Sequence, residues 1–343
     1  MLADNRIALN AGWDADMLRL ELQDLSSLGA DLSVLGFTAH ELEVALAPTG
    51  STGLTDENEV PPVAEKAVTV VGDIWSLGPH RIACGDSTDS ETVSALLGSV
   101  APNLMVTDPP YGVDYDPEWR LQRGLSNSAR RGKVRNDERA DWSAAWALFP
   151  GNVAYVWHAA LRAGIVAESL TREGFSIRAQ IIWAKERLVI GRGDYQWQHE
   201  PCWYAVRTKG YWTGDRKQTT LGTIPKGGQD IETVHSTQKP VECVRRPLLN
   251  NSSPGQSVYD PFLGSGTTLI AAETTCRSCL GLELEPLYVD VAVRRWQAFT
   301  GSVATHLANG RAFDATASER LGTSGANVRP ARKPGAASRG RKR

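Results

Sequence analysis

Apolar residues recur along this chain at two different periods. In the first 47 residues, Leu18, Leu22, Leu25 and Leu28 follow helical spacing, and Gly29 is placed to end that helix. Thr38 and Glu41 form a capping box that opens a second helix through Leu42 and Leu46. Residues 48–67 open with Gly, Thr, Ser, Pro and acidic residues and read as a linker. From Val68 onward short apolar runs alternate with helical patterns. Strands are predicted at Arg81–Cys84, Leu104–Thr107, Val153–Trp157, Ile177–Trp183, Cys202–Val206, Ser257–Tyr259 and Cys279–Leu282. Helices are predicted at Asp89–Leu97, Ala159–Arg172, Val241–Asn250, Thr267–Thr275 and Pro286–Phe299. This alternation predicts an α/β fold: a mostly parallel sheet with helices on both faces and ligand sites at the carboxyl ends of its strands. Two segments, 112–139 and 208–234, break the pattern as polar, irregular loops, and loops of that length are commonly functional.

Composition narrows the classes. No apolar run nears the roughly 20 residues that span a bilayer, and the N-terminus lacks a secretory pattern. Five cysteines in a chain of 343 residues argue for a reducing cytoplasm rather than a disulfide scaffold. The net charge of −2 hides an asymmetry. Residues 1–67 carry 12 acidic and 3 basic residues, and residues 318–343 carry 8 basic and 1 acidic. Residues 311–343 are expected to be a disordered basic tail behind a domain at 68–310.

Two constellations carry chemistry. Asp108-Pro109-Pro110-Tyr111 directly follows an apolar strand, and two prolines force the chain out of the sheet. The carboxylate of Asp108 and the Pro109 carbonyl suit the two N–H bonds of an exocyclic amine on a planar base, with Tyr111 stacked on the ring. The second, Asp260-Pro261-Phe262-Leu263-Gly264-Ser265-Gly266-Thr267, is a strand–glycine loop–helix unit, and Glu283 ends the next predicted strand. Glycines let a ligand approach the backbone, and an acid some 20 residues on suits ribose hydroxyls. The loop has neither the full dinucleotide fingerprint nor a phosphate-loop lysine, which points to an adenosine-bearing ligand without a phosphate chain.

With the tetrapeptide first and the glycine loop about 150 residues later, residues 68–300 resemble the amino-methylating DNA methyltransferases of the beta class. His235-Ser236-Thr237-Gln238-Lys239-Pro240 is similar to the segment that, in that family, packs against the methionine end of S-adenosylmethionine. Val71-Gly72-Asp73-Ile74-Trp75 through Cys84-Gly85-Asp86 is similar to its entry strand, and Gly281-Leu282-Glu283 to its ribose-binding strand. The resemblance implies a circularly permuted, Rossmann-like S-adenosylmethionine-dependent methyltransferase fold with a seven-stranded sheet. It assigns Asp108, Pro109, Pro110 and Tyr111 to catalysis, and Asp86, Asp260, Phe262, Gly264, Gly266, Thr267, Glu283 and Lys239 to the cofactor. Residues 1–47 also resemble the helical segment upstream of the methylase in phage and mobile-element proteins that begin with a ParB-like nuclease domain, which is not expected here.

The reaction implied is methyl transfer to adenine N6 in double-stranded DNA after base flipping, since the amine is unreachable inside a duplex. It needs no metal, and the assembly is left between monomer and homodimer. Arg120, Arg123, Arg130, Arg131, Lys133 and Arg135 of the first loop are expected to hold phosphates, and Arg216 and Lys217 to lie in the recognition segment. Cytosine-N4 methylation on the same scaffold and an inactive DNA-binding module are the alternatives. Cys202, the Cys276/Cys279 pair, His158 and His199 read as structural. A bacterial or phage-infected cytoplasm follows from the substrate.

Overall fold

The computed structural model describes Leu22, Leu25, residues 30–36, Leu42, Leu46 and residues 53–113, 136–189, 194–214, 218–224 and 238–322. Leu22, Leu25, Leu42 and Leu46 are helical, and Leu32–Leu35 form a short 3-10 turn.

Ten strands make one sheet among the described residues: β1 Ile74–Leu77, β2 His80–Cys84, β3 Leu104–Thr107, β4 Val153–Trp157, β5 Ser176–Val189, β6 Trp197–Val206, β7 Leu221–Thr223, β8 Ser257–Asp260, β9 Ser278–Glu283 and β10 Thr305–His306. Their order is β10-β1-β2-β9-β8-β3-β4-β6-β5-β7. The run β2-β9-β8-β3-β4 is parallel, and β6 is antiparallel to both β4 and β5. The expected seven strands are therefore the middle of a ten-stranded sheet. The additional β1, β7 and β10 are two to four residues long and lie at its edges, too short for a period-2 pattern to register.

Alternate residues of the central strands feed two cores. Leu104, Val106, Val153, Tyr155 and Trp157 face one side, and Met105, Ala154 and Val156 the other. Helices α1 Ser90–Leu97, α2 Ser143–Ala147 and α3 Ala163–Arg172 cover the second face. Helices α4 Val241–Asn251, α5 Thr267–Thr274 and α6 Pro286–Thr300 cover the first. Helix ends follow local chemistry. Asp89 caps α1 by accepting from the Thr92 N–H at 3.0 Å, and α6 starts on Pro286 and stops at Gly301 in the left-handed region.

This winding has a topological consequence. From β8 the chain passes through α5 to β9 on one side, and from β3 it leads to β4 on the other, although β3 and β8 are neighbours. The crevice beyond the carboxyl ends of β3 and β8 is the switch point of the sheet, where open α/β folds take their ligands.

Two expectations about the flanks are corrected. The segment 311–343 is not tail throughout: α7 Phe313–Arg320 is helical. Phe313 is fully buried edge-on to Trp75, with ring centres 5.0 Å apart, and the Arg320 guanidinium binds the Asp73 carboxylate and the Val68 carbonyl. Burial works against the Asp73 carboxylate, yet Arg320, the Val70 N–H and His306 hold its pKa below the ordinary value. The partners lie more than 200 residues apart, so a local reading sees only polar, basic sequence. The linker, likewise, is bound from Gly53 onward. The Leu54 N–H donates to the Phe299 carbonyl at 2.7 Å, Glu57 pairs with Arg245, and the Asn58 side chain accepts from the first N–H of α4 at 2.9 Å.

Truncating the anchor of α7 by Phe313→Ala is expected to cost about 3–5 kcal/mol of stability, read as a lowered urea midpoint with an unchanged slope.

Candidate active site

Asp108 begins where β3 ends. Beyond it the tetrapeptide is held by its surroundings: the Tyr111 N–H donates to Asp137 at 3.1 Å, and Trp142 and Arg162 donate to the carbonyls of Pro110 and Gly112, each at 3.1 Å. Gly112 sits at φ +69°, and a Cβ there would lie 2.9 Å from the backbone of Arg139 and Ala140. The chain can thus fold back sharply, and the Tyr111 hydroxyl donates to Asp108 Oδ1 at 2.7 Å.

A buried ammonium completes this corner. Lys239 Nζ, on the segment leading into α4, donates to Asp108 Oδ2 at 2.5 Å and to the Tyr111 hydroxyl at 2.7 Å, and pairs with Glu200 Oε2 at 3.0 Å. The other Glu200 oxygen pairs with Lys185 from β5. Burial opposes both charges, but each is held by its neighbours: the Glu200 pKa falls to about 2 under Lys239 and Lys185, and that of Lys239 rises under Asp108 and Glu200. Burial, with Asp108 and Glu200 adding to it, pushes the Tyr111 phenol well above its usual value, so it is a donor throughout the physiological range. Trp157, at the end of β4, places its ring 5.0 Å from the Lys239 ammonium.

The glycine loop lies across the switch point. Asp260 ends β8 and is 3% exposed. Its Oδ1 accepts from Thr107 Oγ1 at 2.7 Å and from the Phe262 N–H at 3.1 Å, while Oδ2 accepts from Thr268 Oγ1 at 2.6 Å. Burial raises its pKa to about 6 against those three donors. Asp260 therefore braces β3, the loop and α5 together. Gly264 adopts φ +54°, and a Cβ built there meets nothing within 4 Å, which leaves an open approach to the backbone. Its N–H donates to Glu283 Oε2 at 2.9 Å, and the Glu285 N–H donates to Oε1 at 2.8 Å. Burial lifts Glu283 to about 7 against these two bonds. Gly266, at φ +84°, caps α5 before Thr267. Phe262 packs edge-on to Trp142, and exposed Asp86 follows β2 beside the β9 end, where the Gly85 N–H donates to the Glu283 carbonyl at 2.9 Å.

The structure thus brings Asp108–Tyr111 together with Asp260 through Thr107, and Gly264 together with Glu283 and the Gly85–Asp86 turn. It sets Lys239 on the Asp108 carboxylate. Arg120, Arg123, Arg130, Arg131, Lys133, Arg135, Arg216 and Lys217 lie outside the described residues. Glu200 and Lys185 escaped the sequence reading. The signal for Glu200 is its alternation with Cys202 on one face of β6, in a stretch read only for His199 and Cys202. Cys202 is buried, its thiol pushed well above the ordinary range by burial, and His158 is buried against Trp203. Among the described residues no three His, Cys, Asp or Glu side chains converge on a metal position.

A mostly parallel sheet with this switch point, a strand–glycine loop–helix unit and a carboxylate–phenol corner beside it define the class of protein. The DNA methylase family of the N6/N4 type matches residues 103–294, more than half of the chain, and the chain belongs to that family. Residues 16–71 match the ParB-methyltransferase HTH domain, so one domain description runs through both the helical segment and the linker. Type II methyltransferase M2.DpnII of Streptococcus pneumoniae is 24% identical over 230 residues, 57% of this chain and 82% of that protein. Type II methyltransferase M.Cfr9I of Citrobacter freundii is 29% identical over 148 residues, 38% of this chain; the match spans about half of that relative, 48%. Among solved structures, the M1.HpyAVI–SAM complex aligns with a TM-score of 0.45 at 21% identity, covering 62% of this chain and 98% of that one. PvuII DNA methyltransferase, cytosine-N4-specific, aligns at 0.47 and 16% identity, covering 75% and 94%.

Because the Thr107 hydroxyl serves a buried carboxylate, Thr107→Val is expected to cost about 1.5–3 kcal/mol in urea unfolding.

Proposed function

We propose that this protein transfers a methyl group from S-adenosylmethionine to the exocyclic N6 amine of adenine in double-stranded DNA, with the target base flipped out of the helix. The observation that carries the reading is the Asp108 carboxylate, held on both oxygens and joined to the glycine loop by the Thr107–Asp260 bond.

The residues fit the cofactor. The backbone at Gly264 is open to close approach, and the Glu283 carboxylate beside it accepts one N–H on each oxygen, which leaves lone pairs for ribose hydroxyls. Bound there, S-adenosylmethionine supplies a methyl group on a positively charged sulfonium. Asp108 accepts one hydrogen of the base amine and the Pro109 carbonyl the other. These bonds favour a tetrahedral nitrogen with its lone pair aimed at the methyl carbon, so positioning and electrostatics carry the step. The Tyr111 ring supports the flipped base while its hydroxyl steadies Asp108, and the proton of the methylated amine leaves after transfer through Asp108 or water.

Asp at the head of the tetrapeptide favours adenine over cytosine. The helix-turn-helix match of residues 16–71 supports duplex DNA as partner. The type II relatives, both from bacteria, support a restriction–modification setting within a bacterial cytoplasm.

Incubation of unmethylated DNA with the protein and S-adenosylmethionine, followed by mass spectrometry of the nucleosides, is expected to yield N6-methyladenine. N4-methylcytosine would overturn the base assignment, and no methylated base would overturn the reaction. Asp108→Ala is expected to lower turnover by at least about 10³-fold, with cofactor affinity within about threefold of the parent. The pH dependence of cofactor binding has a definite sign. Ribose hydroxyls donate to the ionised form of Glu283, whose pKa is raised to about 7. Binding is therefore linked to proton release: affinity is expected to climb from pH 6 to 8 and level off above, and Glu283→Gln to flatten the titration in calorimetry.

A further inference from the structure

We propose that Lys239 and Glu200 are positioning residues for the amine-accepting carboxylate: Glu200, backed by Lys185, holds the Lys239 ammonium on Asp108 and so fixes the direction in which Asp108 meets the base. This rests on the methyl-transfer reading above.

An ammonium has three hydrogens, and the three acceptors around Lys239 account for them: Asp108 Oδ2 at 2.5 Å, the Tyr111 hydroxyl at 2.7 Å and Glu200 Oε2 at 3.0 Å. None is left over for S-adenosylmethionine, the partner that the family resemblance implies. An ammonium aimed at the cofactor's sulfonium would also set like charges against each other, whereas here Asp108 and Glu200 flank it.

The four charges alternate in a row, Lys185, Glu200, Lys239 and Asp108, drawn from β5, β6, the approach to α4 and the end of β3. Exposure is highest at the working end. Lys185 and Glu200 are each 20% exposed, Lys239 only 4% and Asp108 37%, so the row ends in a carboxylate that a base can reach. Burying an ion pair is a poor way to gain stability, since apolar side chains of similar volume do as well or better. What the row supplies is direction. Tyr111 holds one oxygen of Asp108 and Lys239 the other, and each oxygen keeps a lone pair for the incoming amine. Lys239 is itself anchored, because it leads through Pro240 into α4, whose first N–H is capped by Asn58.

The test compares Lys239→Met, Glu200→Gln and the double variant with the parent in single-turnover methylation, alongside calorimetric binding of S-adenosylmethionine. Lys239→Met is expected to slow transfer about 100-fold, as a displaced reacting group does, and Glu200→Gln about tenfold. The double variant is expected to be no slower than Lys239→Met, because Glu200 acts through Lys239: the Tyr111 hydroxyl proton is committed to Asp108 at 2.7 Å, with Glu200 at 3.4 Å. Cofactor affinity is expected to stay within about threefold of the parent. Loss of cofactor affinity in step with rate, multiplicative effects in the double variant, or an unchanged rate would each overturn the proposal.

A second readout needs neither turnover nor a stable Met variant. Acylation of lysines by acetic anhydride, mapped by mass spectrometry, is expected to modify Lys239 of the parent at least about tenfold more slowly than exposed Lys209, and faster in Glu200→Gln. Equal reactivity of Lys239 and Lys209 in the parent would overturn the network. A parent that methylates no base would instead refute the methyl-transfer reading, and this labelling would still decide whether Lys239 is held.

Discussion

Asp260 is the constraint on which the rest depends. Its carboxylate is buried at the end of β8, and such a group persists only when its oxygens are hydrogen-bonded. The donors are Thr107, Thr268 and the Phe262 N–H, which belong to the end of β3, the start of α5 and the glycine loop. Satisfying one carboxylate thus locks together the three pieces that flank the switch point. The tetrapeptide at Asp108 begins at the residue after Thr107, and the open backbone of Gly264 lies two residues beyond Phe262. Two motifs some 150 residues apart in the chain become neighbours because β3 and β8 are adjacent and their ends are tied.

The site on either side of that brace separates two electrostatic tasks. On the cofactor side of the proposed reaction, burial raises Glu283 to about 7 and, among the described residues, its carboxylate is bonded to backbone N–H groups only, so its charge can follow a ligand. On the base side the charges are fixed by one another: Glu200 is driven down to about 2 and Lys239 upward, and Tyr111 stays a phenol. The same environment silences Cys202, since burial among carboxylates and apolar groups disfavours a thiolate. A fixed corner at Asp108 and an adjustable one at Glu283 suit the proposed methyl transfer, in which the acceptor must be aimed while the donor comes and goes.

Legibility in the sequence followed the range of the interactions involved. Leu104–Thr107 and Val153–Trp157 appear with the bounds read from the chain, because an apolar run buried on both faces and closed by Pro, Gly or His is a local signal. The starts of α1, α4, α5 and α6 were equally local, set by Asp89, Pro240, Gly266 and Pro286. Edge strands of two to four residues, the docking of α7 and the outer length of the β5–β6 hairpin were not legible. Phe313 needs Trp75, Arg320 needs Asp73, and the hairpin extends through polar residues such as Lys185, Gln198 and Glu200. The chemistry divides the same way: Asp108, Tyr111, Gly264 and Glu283 are marked by their neighbours in sequence, whereas the partnership of Glu200 with Lys239 exists only in space.

The segment 53–59 carries this logic to the N-terminal side. Asn58 caps α4 and accepts from Gln238 at 3.3 Å, one residue from Lys239, while Glu57 pairs with Arg245 on the same helix. The Glu57 carbonyl also accepts from Arg295 at 2.7 Å, and Arg295 in turn donates to the Ser265 carbonyl inside the glycine loop at 3.0 Å. Arg295 is almost fully buried, and burial lowers its pKa to about 10, so its guanidinium depends on these carbonyls for compensation. A stretch that composition marks as linker therefore touches the approach to Lys239 and, through one arginine, the glycine loop. Residues 53–59 lie within the 16–71 family match, so contacts of that domain reach both the approach to Lys239 and, through Arg295, the glycine loop.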